Sequence, residues 1–179
     1  MKTTLKTIII ASTITTLFFT TTSKAQTTAA NTWQFSIGPD GGIPTGNARL
    51  GSNFAFAGTA RFQYGLSNSF ALTVTSGAYH FFPIDKPGTT TRYESYGEVP
   101  VKAGIKAFYA PNLYIGAEAG AMLEFLDSGS GPTRFLLSPA LGYANKHWDF
   151  AAHYESASTS LPNSHFGIAA LRIAYGFGL

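Results

Sequence analysis

His153 and Glu155 stand two positions apart in the segment HYESASTSLPN, so in an extended chain both side chains point the same way. A two-residue turn at Asn145–Lys146 sets Ser138 opposite His153 on the preceding strand. A serine hydroxyl, an imidazole and a carboxylate in one place are the groups that activate an oxygen nucleophile for acyl transfer. Sealed inside a protein, the same three groups make only a buried hydrogen-bond network, and that structural role is the expectation for Ser138, His153 and Glu155. Other chemistry has less support. His80, His147 and His165 show no His-x-His or His-x-x-x-His spacing and the chain has no cysteine, so no metal site is expected. GGIPTGNARLG is rich in glycine but lacks the Lys-Ser/Thr pair of a phosphate cradle. No stretch has the pattern of a nucleotide or redox-cofactor site, and no cofactor is expected.

The elements that would position these residues follow from composition. Of 179 residues only 12% are charged and 15% are aromatic, against a usual charged share of about 25%. Lys2, Lys6 and Lys24 fall in the first 25 residues, around an uncharged stretch from Thr7 to Phe19. Ser23 and Ala25 supply the small residues of a cleavage site, so residues 1–25 read as a secretory signal and 26–179 as a single domain. Taking those three lysines from the 12 basic residues leaves nine against nine acidic. A neutral mature chain offers no basic surface for nucleic acid. Without cysteine there is neither a lipoprotein anchor nor a disulfide scaffold.

After Gln26 there is no run of about 20 apolar residues, and the apolar residues do not recur with a helical period. Alternation with period two recurs instead. It predicts strands at 33–40, 53–65, 69–81, 98–109, 113–125, 133–144, 148–156 and 165–177. Tight turns follow the second, fourth and sixth strands. GGIPTGNARLGS, FPIDKPGTTTRYESYG, LDSGSGP and ASTSLPNS form longer connections after the others. Short turns at one rim and long loops at the other are the pattern of a transmembrane β-barrel, for which eight strands is the smallest common size.

Alternation alone also suits a soluble sandwich or a lipocalin-like barrel. The faces separate the readings. Val99, Val101, Ala103, Ile105 and Ala107 oppose Pro100, Lys102, Gly104 and Lys106. Leu113, Ile115, Ala117, Ala119, Ala121, Leu123 and Phe125 share a face with no charge. Aromatic residues gather at both rims, with Trp33, Tyr64, Phe70, Tyr109, Tyr143, Trp148 and Phe177 at the short turns and Phe54, Phe56, Phe81, Phe125 and Phe135 at the long loops. Such a double girdle marks two membrane interfaces. In lipid every backbone N–H and C=O needs a partner, which a closed barrel supplies. Two positions disturb the pattern. Pro139 removes a ladder donor and implies a bulge or break, and Phe166 with Ile168 on the polar face implies a register change near Gly167.

The inner face then carries nine charges: Arg61, Lys102, Lys106, Arg134 and Arg172 against Glu118, Glu124, Asp149 and Glu155. Simple hairpin registers set Lys102 opposite Glu118 and Glu124 opposite Arg134, and bring Asp149 to Arg172. An eight-stranded barrel has room for little besides its own side chains. The expectation is a plugged, salt-bridged lumen, with a narrow solute path as the alternative.

With its export signal, eight strands and aromatic C-terminal strand, the chain resembles the small outer-membrane β-barrel family of Gram-negative bacteria, the porin-like OmpX/OmpA-type barrels. VPVKAGIKAFYAPNLYIGAEAGA resembles that family's middle hairpin, and LRIAYGF its final strand. The family's terminal strand usually ends in Phe, whereas Phe177 here is followed by Gly178 and Leu179. The resemblance implies an all-β, eight-stranded antiparallel up-and-down barrel in the outer membrane. It also implies contact with outer-membrane lipid and lipopolysaccharide, recognition of the last strand by the barrel-assembly machinery, and a monomer. HYESASTSLPN is faintly similar to lipid A deacylase barrels, whose histidine and serine lie two residues apart on one strand. Ser156 lies three from His153 and faces the other way. A structural or surface-interaction role through four outer loops is therefore expected, with a lipid A-modifying enzyme as the alternative.

Overall fold

The computed structural model describes residues 29–126, 129–158 and 165–179; the expected signal and its cleavage point lie outside them. Among the described residues the strands are β1 (Trp33–Gly46), β2 (Ser52–Gly65), β3 (Phe70–Pro83), β4 (Tyr96–Ala110), β5 (Leu113–Leu126), β6 (Gly129–Ala144), β7 (Trp148–Ala157) and β8 (Phe166–Gly178). Each pairs antiparallel with the next, and β8 closes on β1 to form an up-and-down barrel.

The expected strands are all present, and several are longer at the outer rim. GGIPTG continues β1, with Gly42 opposite Ala170, Pro44 opposite Ile168 and Gly46 opposite Phe166. The β1–β2 pairing stops at Gly42–Ala55, so beyond that point β1 has a ladder on one side only. A proline is tolerated on such an edge because no second strand needs its missing N–H. A 3-10 turn at Asn47–Leu50 then completes the connection. The segment GSGP likewise begins β6, across a bulge between Leu123 and Phe125 of the β5–β6 ladder.

Neither disturbance changes register. Pro139 lies outward and exposed, opposite Ala117 on β5. On its β7 side, Leu137–Ser156 and Ala140–His153 keep one register. β7 and β8 also stay in step from Trp148–Tyr175 to Ala157–Phe166, straight past Gly167. Phe166 and Ile168 are therefore true lumen residues, both buried. Of the bulge or break expected at Pro139 the break is present, since the β6–β7 pairing skips Ser138 and Pro139 and resumes in the same register; the register change expected at Gly167 is corrected, because Phe166 and Ile168 are large apolar side chains that pack inside the barrel.

The outer wall is apolar. Ile37, Phe62, Leu72, Val101, Ile115 and Leu141 are each about half exposed and point away from the axis. A water-soluble monomer rarely exposes so continuous an apolar surface. Trp33, Phe70, Tyr109, Tyr143, Trp148 and Phe177 ring the short-turn rim, and Phe54, Phe56, Phe125 and Phe135 ring the other. Phe81 is the exception to the expected girdle. Strand parity turns it inward to full burial and puts Phe82 on the outer wall in its place.

Candidate functional site

The side chains inside the barrel fall in three tiers. Toward the short turns, Phe108, Tyr114, Ala144 and Ala151 form a small apolar cluster. Above it lies the charged tier. Toward the long loops, Phe81, Met122, Leu136, Phe166 and Ile168 form a larger apolar cluster with Tyr96 packed against it. The Phe81 and Tyr96 rings stack at 4.3 Å, and Phe166 lies 6.2 Å and 6.4 Å from them.

Asp149 anchors the charged tier. Its Oδ2 receives Arg61 Nη1 at 3.2 Å and Lys106 Nζ, with Arg172 Nη1 at 3.6 Å. Its Oδ1 accepts the Tyr114 hydroxyl at 2.7 Å. Tyr114 fits because the facing residue is Gly142: a Cβ there would lie 2.4 Å from the Tyr114 ring. From Asp149 the chain of contacts climbs the lumen. Arg61 Nη2 reaches Glu118 Oε2 at 3.4 Å, and Thr73 and Thr75 each donate to Glu118 Oε1 at 2.7 Å. Lys102 Nζ lies 3.8 Å from Glu118 and is ion-paired with Glu155. At the outer mouth Arg134 pairs with Glu124 at 2.8 Å while its guanidinium sits 5.2 Å from the Phe166 ring centroid. Arg172 is held by hydrogen bonds from Nε to Thr59 at 2.8 Å and from Nη2 to Ser36 at 3.2 Å.

All nine expected charges face the lumen, and the expected pairs Lys102–Glu118, Glu124–Arg134 and Asp149–Arg172 form. The registers behind them differ. Lys102 lies opposite Gly120, Arg134 opposite Met122, and Glu155 opposite Ile168. Each ladder is displaced by two residues from the simple hairpin. A two-residue slip keeps every side chain on its face, and long side chains reach their diagonal neighbours. For short side chains the slip is decisive. Ser138 lies opposite Glu118 and His153 opposite Ala140, so the expected Ser138–His153 juxtaposition is corrected. His153 Nε2 has no hydrogen-bond partner and lies 3.7 Å from Glu155 Oε1.

Two lumen carboxylates escaped the sequence reading. Asp40 was placed at the end of a strand that in fact continues, and Glu98 at the start of one whose pairing begins two residues earlier. Both are buried. Asp40 Oδ2 accepts the Tyr79 hydroxyl at 2.8 Å and lies 3.5 Å from His153 Nε2. Strand parity was the signal that could have found them, since Asp40 alternates with Gln34 and Ser36, and Glu98 with Lys102 and Lys106.

An apolar outer wall around a charged interior defines a membrane-type β-barrel. Solved structures that match this fold include small eight-stranded outer-membrane barrels. The crystal structure of Ail, the attachment invasion locus protein of Yersinia pestis, matches with a TM-score of 0.56 at 14% identity, over 83% of this chain and 99% of that one. Neisserial surface protein A matches with a TM-score of 0.55 at 16% identity, over 82% and 96%. OprG of Pseudomonas aeruginosa matches with a TM-score of 0.51 at 7% identity, over 85% and 97%. No family model and no curated protein matches the sequence. The chain thus has the fold of the small eight-stranded outer-membrane β-barrels.

Proposed function

We propose that the protein resides in a Gram-negative outer membrane as a closed barrel, with a structural or surface-interaction role carried by its outer loops. The observation that carries this reading is the unbroken path of lumen contacts from Arg172 through Asp149, Arg61, Glu118 and Lys102 to Glu155. Together with the apolar tiers it occupies the axis and supports a lumen built to be shut. Breaking one such buried pair costs about 3–5 kcal/mol, which makes a spontaneous opening rare. With the lumen closed, the groups available to a partner outside the membrane are those of the loops. The connection over residues 84–95 has its own internal structure: Arg92 pairs with Asp85 at 2.8 Å, Lys86 lies 5.5 Å from the Tyr93 ring, and the Tyr93 N–H donates to Ile84 O at 3.0 Å. A connection shaped this way presents a defined surface at low ordering cost. Ail, similar in fold, is named for attachment and has been solved with a heparin analogue. Lipopolysaccharide around the wall and the assembly machinery at β8 complete the proposed set of partners for a monomer.

Purified protein in a planar lipid bilayer tests the closed lumen. The expected record is flat at the level of nanosiemens steps; steps of that size in the unmodified protein would replace the closed-barrel reading with a channel.

A further inference from the structure

The outer wall is not evenly filled. Ala152 on β7 points outward between Leu141 of β6 and Leu171 of β8, its direct cross-strand neighbours. Two strand spacings of about 4.8 Å set those leucines about 10 Å apart, with only a methyl group between them. The next outward row toward the short turns is Tyr143, Phe150 and Ile173. A groove of about 420 Å³ opens along these side chains and reaches Tyr109 and Leu113 beside the β4–β5 turn. Gly142, Ala151 and Arg172 belong to the inward face, so they give the groove only its backbone floor.

At the rim beyond the groove stands Lys146. It is the one Lys or Arg in the short turns over residues 66–69, 111–112 and 145–147, which carry no Asp or Glu. It is exposed, and the ion pairs among the described residues do not involve it. Its turn is fixed in shape. Asn145 Oδ1 accepts the N–H groups of His147 and Trp148, both at 2.9 Å, and the Asn145 N–H donates to Trp148 O at 2.8 Å. Three residues at about 3.3 Å each separate Lys146 from Tyr143, so it stands within roughly 10 Å of the groove's rim end.

We propose that this groove seats one acyl chain of an anionic phospholipid in the leaflet at the short turns, with the lipid phosphate on Lys146. The inference rests on the membrane reading above and names one lipid position within it. Lipid tails are as apolar as leucine, so burial alone favours no seat on such a wall. Fit and charge do. A polymethylene chain beside Ala152 meets side-chain atoms on two sides where a smooth wall offers one, and those dispersion contacts add up. A second barrel is convex, and bridges a notch of this width instead of entering it. Tyr109, Tyr143 and Trp148 stand at the depth where amphipathic rings meet headgroups. One lysine at such an interface favours an anionic over a zwitterionic lipid about fivefold.

Trp148 reports on the groove, since its ring stacks on Phe150 at 6.0 Å, and Trp33→Phe leaves it the sole tryptophan. The barrel is folded into phosphatidylcholine vesicles containing an equal, low mole fraction of phosphatidylglycerol or phosphatidylcholine brominated near the head of the acyl chain. The altered gel mobility of unboiled protein confirms folding of each variant. Brominated phosphatidylglycerol is expected to reach an effective concentration at Trp148 about fivefold above that of brominated phosphatidylcholine. Lys146→Gln is expected to abolish this preference. Ala152→Phe, which fills the groove, is expected to remove at least half of the excess quenching. Ala103→Phe, the same enlargement on the outward face of β4, is expected to leave it unchanged. Equal quenching by the two lipids in the parent overturns the proposal. So does an excess that Ala152→Phe leaves intact, which would make Lys146 a general surface charge. Quenching by both lipids that rises as the protein is diluted in lipid gives the groove to a second copy and overturns it too. A chain that folds into no vesicle removes the membrane reading along with this one.

Discussion

Asp149 and Glu98 are both buried carboxylates on the inner wall of one barrel, and their company is opposite. Three cationic side chains and a tyrosine hydroxyl converge on Asp149. Glu98 has Glu124 directly across the ladder, and its Oε1 is unpartnered. The inner half of the lumen is held by charge neutralisation. Its outer half is held by apolar packing among Phe81, Met122, Leu136, Phe166 and Ile168, with surplus carboxylates beneath. Burial by itself therefore says little about what a charged group does for stability. The partners decide the sign.

Substitutions at matched positions can break or sharpen this contrast. The largest effect is expected from Asp149→Asn, which strands Arg61, Lys106 and Arg172 in the inner tier. A loss of about 3–5 kcal/mol in vesicle unfolding is expected. A loss no larger than that of an exposed pair would mean that water reaches the inner tier. Next comes Glu124→Gln at the outer mouth. Its partner Arg134 is 20% exposed and retains the Phe166 ring, so the variant is expected to lose about 1–2 kcal/mol. If it matched Asp149→Asn, the two halves would be equally dry and the contrast would lie in charge balance alone. The smallest effect is expected from Asp85→Asn in the outer connection. That pair is 69% and 70% exposed, and the unfolding free energy should stay within about 0.5 kcal/mol.

Much of this was legible in the residues. Val101 and Lys102 adjoin in sequence and face opposite worlds, and period-two alternation displays that directly. Strand parity also put all nine expected charges inside. It failed where strand ends were misjudged, which hid Asp40 and Glu98. It failed again where Gly167 was read as a slip instead of accepting Phe166 and Ile168 as lumen filling. Phe81 was misread because two adjacent phenylalanines look alike in composition while pointing in opposite directions.

The sequence by itself determined the number of strands, the side of the wall on which each side chain lies, and which residues carry charge into the lumen. A strand has only two faces, and a wall with unlike surroundings on its two sides requires one apolar face throughout. Which charges meet was decided only by tertiary structure. Arg61 reaches Asp149 across the lumen from β2 to β7, and Lys102 reaches Glu155 from β4 to β7. His153 finds Asp40 in place of Ser138. Those meetings depend on ladder register and on closure of β8 against β1. A shift of two residues leaves the alternating pattern untouched while changing every cross-strand partner.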